Sequence, residues 1–170
     1  IISGLMQNNN LNVSYNDKKL NSSLFYEYRS KIHLSSPDIF LFNRSLKYNL
    51  SLGRNISEDE IFDALRNSCL NVDLIKKYIN NSVGENGDNL SLGQRQRVIL
   101  SRLFLKKPNL IILDEATANV DIETEDEIFK NIINYIPKNS ILVVVAHRIP
   151  RLIQFNKIYS VKNKKVQLDT

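Results

Sequence analysis

Glycine is scarce in this sequence, five residues in 170, yet Gly84, Gly87 and Gly93 fall within one short window that also holds Asp88 and Ser91. Such clustering marks a backbone that needs conformations or close approaches a side chain would obstruct. Ser91, Gly93 and the start of the helix that follows offer a hydroxyl, backbone N–H groups and a positive dipole end, which together make an anion site. Taken alone, Ser91-Leu92-Gly93-Gln94 is also an ordinary capped helix start. Farther on, Asp114 and Glu115 close the apolar run Leu110 to Leu113, and His147 closes a second, Ile141 to Ala146. Ligands of open parallel α/β sheets sit beyond the carboxyl ends of the strands, so Asp114, Glu115 and His147 could share one site. Each has a bland reading singly, as a strand leaving the core or a structural histidine; their order and spacing make the case.

The elements that must position these groups follow from periodicity. Ile1 to Met6 reads as a helix end, Leu11 to Tyr15 as a short strand, Asn16 to Lys19 as a turn, and Ile32-His33-Leu34 as a strand halted before Pro37. A loop then runs to Phe42. Ser57 and Glu60 have capping-box spacing ahead of Ile61, Phe62, Leu65 and Cys69 at helical intervals, so a helix starts near Glu58. Leu70 to Ile79 continues the helical pattern. After Gly93, Val98, Ile99, Arg102, Leu103 and Leu105 form a helix that Pro108 terminates. Leu110 to Leu113 and the valine-rich Ile141 to Ala146 are expected to be strands buried on both faces of a parallel sheet, with a helix from Glu123 to Ile136 between them. Lys157 to Val161 and Lys165 to Leu168 predict a closing hairpin around Asn163.

Composition bounds the class. With 42% hydrophobic and 24% charged residues the chain suits a soluble globular domain with a sizeable core. No stretch approaches the roughly 18 consecutive apolar residues of a membrane helix, so membrane contact is expected to be indirect. One cysteine, Cys69, cannot build a disulfide framework and reads as a small buried hydrophobe. The net charge of +5 is spread along the chain, and no aromatic platform is interleaved with the basic residues, so no nucleic-acid partner is expected. Asparagine is abundant and can replace glycine where a turn needs a left-handed backbone.

The run Val83 to Arg97, with Leu90-Ser91-Leu92-Gly93-Gln94 at its centre, closely resembles the signature region of ABC-type ATPases, whose family form is LSGGQ. Leu110 to Glu115 follows as the Walker B strand should. Ala116-Thr117-Ala118-Asn119-Val120-Asp121 then resembles the D-loop, and Val145-Ala146-His147-Arg148 the switch-histidine segment. Ile39 to Leu46 is similar to the stretch after the Q-loop glutamine in exporters, and Gly84-Glu85-Asn86-Gly87 has the exporter form thought to face the membrane domain. The resemblance thus covers nearly the whole chain.

It implies an α/β fold: a P-loop NTPase-like ABC ATPase core with a mainly parallel sheet (1–44 and 108–170) and a helical subdomain carrying the signature (45–107). It also implies ATP and Mg²⁺ as ligands, a second ABC ATPase subunit as a homo- or heterodimeric partner, an exporter's transmembrane domain, and a place at the cytoplasmic face of the cell membrane. Phosphoryl transfer to water needs positioned metal, an oriented nucleophile and charge neutralisation. Asp114 fits the metal, through water. Glu115 can accept a proton from the attacking water or orient it, and His147 can donate to the γ-phosphate or hold that water. Ser91, Gly93 and Gln94 would close over ATP held by the partner, with Asp121 at the same interface.

Three departures qualify the resemblance. No Gly-x-x-x-x-Gly-Lys-Ser/Thr motif occurs, and the family places that loop just upstream of an Ile-Ser-Gly-Leu-like strand entry. The chain therefore reads as truncated before Ile1, and alone it is expected to bind ATP weakly or not at all. The Q-loop glutamine aligns with Pro37, or with Ser36 if the register slips; neither replaces an amide, and proline fixes φ and lacks an N–H. Leu92 stands where the signature has glycine, adding a side chain where backbone passes close to phosphate. With Asp114, Glu115, Asp121 and His147 intact, these changes point to an asymmetric heterodimer. A soluble ABC ATPase or chromosome-maintenance head, and a degenerate regulatory subunit or remnant, are the alternatives. The transported substrate is not encoded here.

Overall fold

The computed structural model describes residues 14–15, 18–19, 22–162 and 165–169. A two-residue-per-strand antiparallel hairpin, β1 (Ser14–Tyr15) with β2 (Lys18–Lys19), precedes helix α1 (Ser22–Ser30). Lys18 and Lys19, expected in a turn, are therefore strand residues, because they pair with Tyr15 and Ser14. Residues 1–13, with the expected helix end and most of the Leu11 to Tyr15 strand, lie outside the described part. Periodicity did not announce helix α1.

β3 (Ile32–Ser35), β4 (Leu110–Asp114) and β5 (Ile141–Val145) form a parallel sheet in that order. Leu34 pairs with Ile112, which pairs with Val143, so all three strands present their carboxyl ends on one side. Parallel strands require long crossovers. The connection from β3 to β4 is helical: α2 (Leu46–Ser51), α3 (Glu58–Asn67), α4 (Val72–Tyr78), a 3₁₀ turn at Glu85–Gly87, α5 (Leu92–Ser101) and a second 3₁₀ turn at Arg102–Leu105. α6 (Ile122–Tyr135) links β4 to β5, and a final antiparallel hairpin pairs β6 (Ile158–Lys162) with β7 (Lys165–Asp169).

Local chemistry explains several boundaries. The Ser57 hydroxyl accepts from the Glu60 N–H (3.2 Å) while the Glu60 carboxylate accepts from the Ser57 N–H (3.0 Å), completing the expected capping box of α3. α4 starts at Val72 rather than Leu70, because Cys69 takes a left-handed backbone (φ 58°) and Asn71 caps the helix. Cys69 itself is half-buried, not fully enclosed. α5 tightens to 3₁₀ geometry at Arg102, well before Pro108.

One apolar cluster joins the layers: Leu46 and Leu50 of α2, Ile61 and Leu65 of α3, Val98 and Ile99 of α5, Ile111 and Leu113 of β4, and Ile128, Phe129 and Ile132 of α6. Each such side chain contributes about 2 kcal/mol by leaving water. The strands are less enclosed than their continuous apolar runs imply. In β4, Ile111 and Leu113 are buried while Leu110 and Ile112 are only partly covered. In β5, Leu142 and Val144 face the cluster, but Ile141, Val143 and Val145 are 63%, 38% and 50% exposed, so burial on both faces does not hold for that strand among the described residues. Among the described residues β5 is the last strand of the sheet, and no described element covers its second face.

A polar core residue that periodicity did not single out is Asn49. Fully buried, it accepts from the Phe42 N–H (2.8 Å) and donates to the carbonyls of Phe42, Arg44 and Ser45 (3.0, 3.3 and 3.1 Å), fixing the loop ahead of α2. His33 is the second: burial, then the nearby charges of Lys106 and Arg102, push its imidazole down to about 3. Between about 3 and 6.5 the unfolded chain holds more protons than the folded one, so this contribution is fully present above 6.5 and is lost as pH falls. Lowering the pH from 6.5 to about 4.5 is expected to cost about 2 to 3 kcal/mol through His33 alone. Urea unfolding across that range measures it, and His33→Leu should flatten the dependence by that amount.

Candidate active site

β4 delivers the acidic pair. Asp114 ends the strand opposite Val145, and the Glu115 N–H extends the ladder one step by donating to the Val145 carbonyl (2.9 Å). Glu115 then takes a left-handed backbone (φ 49°), which turns the chain sharply out of the sheet and brings its carboxylate to the strand end. A non-glycine residue held in that region costs free energy and is maintained by its surroundings. The imidazole of His147, just past β5, places Nε2 3.0 Å from Glu115 Oε1. Asp114, Glu115 and His147 thus meet at one end of the sheet, as the two apolar runs implied. The pair is open to solvent, with the histidine side chain 89% exposed, which leaves room for a ligand.

The loop beyond Glu115 is short and internally bonded. The Ala118 N–H donates to the Glu115 carbonyl (3.2 Å) and the Val120 N–H to that of Thr117 (3.1 Å), ending at Asp121, which caps α6. Asp121 Oδ1 accepts from the Thr124 N–H (2.9 Å), and this bond holds its carboxyl below the usual range. Asp121 therefore has a structural task at the helix start.

The glycine window also resolves into geometry. Gly84 and Gly87 have φ of 86° and 80°, and Asn86 between them takes φ 51°, the glycine-like use of asparagine. Ser91 caps α5: its hydroxyl accepts from the Gln94 N–H (3.3 Å), while the Gln94 side chain accepts from the Ser91 N–H (2.9 Å). The Ser91 and Gln94 side chains are thus engaged with each other, whereas the first backbone N–H groups of α5 are not consumed by a side chain beyond this box. Gly93 has a different reason to be glycine. A β-carbon there would collide with the carbonyl oxygen of Asn119, so the start of α5 lies directly against the loop after Glu115. Leu92, one residue earlier, is 54% exposed.

Sequence reasoning missed the residues that hold these pieces together. Gln96, nearly buried, accepts from the Asn119 N–H (3.3 Å) and donates to the Glu115 carbonyl (3.5 Å), bracing the loop from α5. Glu125, buried in the first turn of α6, accepts from the Thr117 hydroxyl (2.7 Å) and from Arg148 (2.7 Å), the residue after His147. This ties the loops after β4 and β5 to one helix. The only sequence signal was two polar side chains on helix faces otherwise turned to the core, and Glu125 also looks like an ordinary acidic residue at a helix start.

Donor chemistry is compatible with a hard cation. Among the described residues no group of three His, Cys, Asp or Glu forms a cage, and no described side chain is bonded to the Asp114 carboxylate. Magnesium is commonly held by one or two carboxylates with waters and phosphate oxygens, and that requirement fits Asp114.

Residues 1–118 match the family model described as "ABC transporter". The chain is 34% identical over 169 residues to the multidrug resistance-like ATP-binding protein MdlB of Buchnera aphidicola subsp. Acyrthosiphon pisum, covering 98% of this chain and 29% of that protein. It is 35% identical over 143 residues to human ATP-binding cassette sub-family C member 2, covering 83% of this chain and 9% of that protein. Among solved structures, a bacterial Atm1-family ABC exporter with ATP bound superposes with a TM-score of 0.67 at 26% identity, over 78% of this chain and 24% of that one. The chain spans under a third of the length of these relatives.

The contact at Gly93 yields a direct test. Gly93→Ala must displace the Asn119 backbone, and the expected loss is about 1 to 3 kcal/mol in urea unfolding. Gly53→Ala, at a position with open space but φ 81°, separates backbone strain from this collision.

Proposed function

Given that this chain belongs to the ABC transporter family, we propose that it is the part of a nucleotide-binding domain that hydrolyses ATP to drive export across a membrane. The observation that carries the reading is the strand-end constellation: Asp114, then Glu115 in a left-handed turn, with His147 Nε2 3.0 Å from the Glu115 carboxylate. Two parallel strands converge to make it, and an isolated acidic pair would not need the second strand.

In this reading Asp114 would hold a magnesium ion at the strand end, through water. Magnesium, when bound, neutralises charge building on the phosphate oxygens. Glu115 polarises the attacking water by accepting its proton, and the direct pairing with His147 holds that carboxylate at the strand end until a ligand arrives. His147 then donates from Nε2 to a γ-phosphate oxygen. Ser91, Gly93 and Gln94, at the start of α5, would face nucleotide bound by a second ABC ATPase subunit, and Asp121 would lie along the same interface. The chain carries no Gly-x-x-x-x-Gly-Lys-Ser/Thr loop of its own, so isolated it is expected to bind ATP weakly or not at all.

Coupling to a transmembrane domain is supported by an aromatic surface. Phe40, Phe42 and Tyr48 are each nearly half exposed and stack edge to face at 5.8 and 5.9 Å. The Leu41 N–H donates to Asn86 Oδ1 (3.3 Å), joining this surface to the Gly84–Gly87 segment. Exposed aromatics backed by a fixed loop suit a protein interface. No helix among the described residues is long and apolar enough to cross a membrane, so the proposed place at the cytoplasmic membrane face depends on that partner. We also propose the division into an α/β core (1–44 and 108–170) and a helical subdomain (45–107).

In the complete transporter, Glu115→Gln is expected to lower ATP turnover about 100-fold or more while leaving nucleotide binding intact. Unchanged turnover would remove Glu115 from the mechanism. A second reading, an asymmetric heterodimer, is favoured by exposed Leu92 in the signature beside an intact set of carboxylates. There, Leu92→Gly is expected to raise turnover at the partner's nucleotide, measured in a mixed dimer whose other site is silenced by Glu115→Gln. No gain would count against the asymmetry.

A further inference from the structure

At the far end of the sheet from Asp114, a cavity of about 420 Å³ opens between β3, the end of α2 and the end of α5. His33, Leu52, Arg54, Arg102 and Lys106 line it. Its charge is one-sided. Arg54, Arg102 and Lys106 form no ion pair among the described residues, and burial, then repulsion from Arg54, lowers the pKa of both Arg102 and Lys106. Arg54 spends its guanidinium on the carbonyls of Ser51 and Leu50 (3.0 and 3.2 Å), and Arg102 gives Nε to the carbonyl of Asn49 (3.1 Å). Clustering three cations without a carboxylate is costly unless something anionic enters.

Two buried atoms mark where it would bind. His33, 4% exposed, has Nε2 without a hydrogen-bond partner, and Arg102 Nη2 is likewise buried and unpaired. Buried polar atoms left unsatisfied are rare and call for a ligand or water. Both belong to residues of the cavity wall, with exposed Arg54 and Lys106 nearer solvent. The neutral imidazole has one N–H, and in the tautomer that carries it on the unpartnered Nε2 it adds one donor beside the planar fork of Arg102. Three positive groups suit a dianion better than a single carboxylate, and arginine forks match phosphate oxygens. The volume exceeds one water's share of about 30 Å³ by more than tenfold, leaving room for a small organic group on the phosphate.

We propose that this cavity binds a phosphate-type oxyanion, either inorganic phosphate or the phosphomonoester of a small molecule, held by Arg102 and His33 within and by Arg54 and Lys106 at the opening. The site is separate from the catalytic one. His33 pairs with Ile111, three residues before Asp114 along β4, a span of about 10 Å, and Arg102 lies at the opposite end of α5 from Ser91.

Calorimetric titration of the full chain with inorganic phosphate, glycerol phosphate and acetate, at matched ionic strength and with a non-hydrolysable ATP analogue present, tests it. Saturable binding of phosphate or glycerol phosphate, but not acetate, is expected, and the tighter of the two names the source. Lys106→Met and Arg54→Met should each weaken it about tenfold, and Lys106→Arg should restore it, with thermal unfolding in phosphate-free buffer confirming that each variant folds. Equal binding of acetate, unaltered affinity in both methionine variants, or no binding would each overturn the proposal.

Discussion

Everything at the candidate site depends on parallel pairing of β4 between β3 and β5. A parallel sheet aligns the carboxyl ends of its strands, so the residues just past β4 and β5 emerge side by side whatever their separation in sequence. The register makes this concrete: Asp114 opposes Val145, and one more ladder bond, from the Glu115 N–H to the Val145 carbonyl, fixes the backbone from which the Glu115 carboxylate reaches His147. A shift of one residue would turn Asp114 to the other face and remove that bond.

The second constraint couples the helical part of the chain to this strand end. Gly93 allows α5 to abut the Asn119 carbonyl, and Gln96 on the same helix bonds both the Asn119 N–H and the Glu115 carbonyl. The proposed signature and the proposed catalytic carboxylate are thus two ends of one hydrogen-bonded unit. Glu125 adds a third connection, since its carboxylate spans the Thr117 hydroxyl and the Arg148 guanidinium, and so carries the loop after β4 to the loop after β5. Motion of α5 would be felt at Glu115 through the Gln96 side chain.

Charge is used differently in the two halves. Around Glu125 and Arg148 a buried carboxylate is matched by a hydroxyl and a cation, so burial is compensated. Around His33 and Arg102 it is not, and the cost appears as a neutral imidazole and two unpaired polar atoms. The aromatic surface of Phe40, Phe42 and Tyr48 is held from behind by Asn49, whose amide supports the loop it stands on.

The motifs, the α3 capping box, the helix after Gly93 and the two strand-end acids and histidine were legible in the sequence, because caps, glycines and strand termini are set by interactions a few residues apart. Its matched motifs also placed the chain in its family. What tertiary structure alone decided is pairing across distance: that Gln96 braces Asn119, that Glu125 joins Thr117 to Arg148, and that His33 and Arg102 line one cavity. Those residue types have no local signature, since each is equally at home on a solvated helix or strand face. The β5 strand shows the converse limit. Its unbroken apolar run reads as burial on both faces, yet which faces are covered depends on the elements packed against it, and those lie elsewhere in the fold.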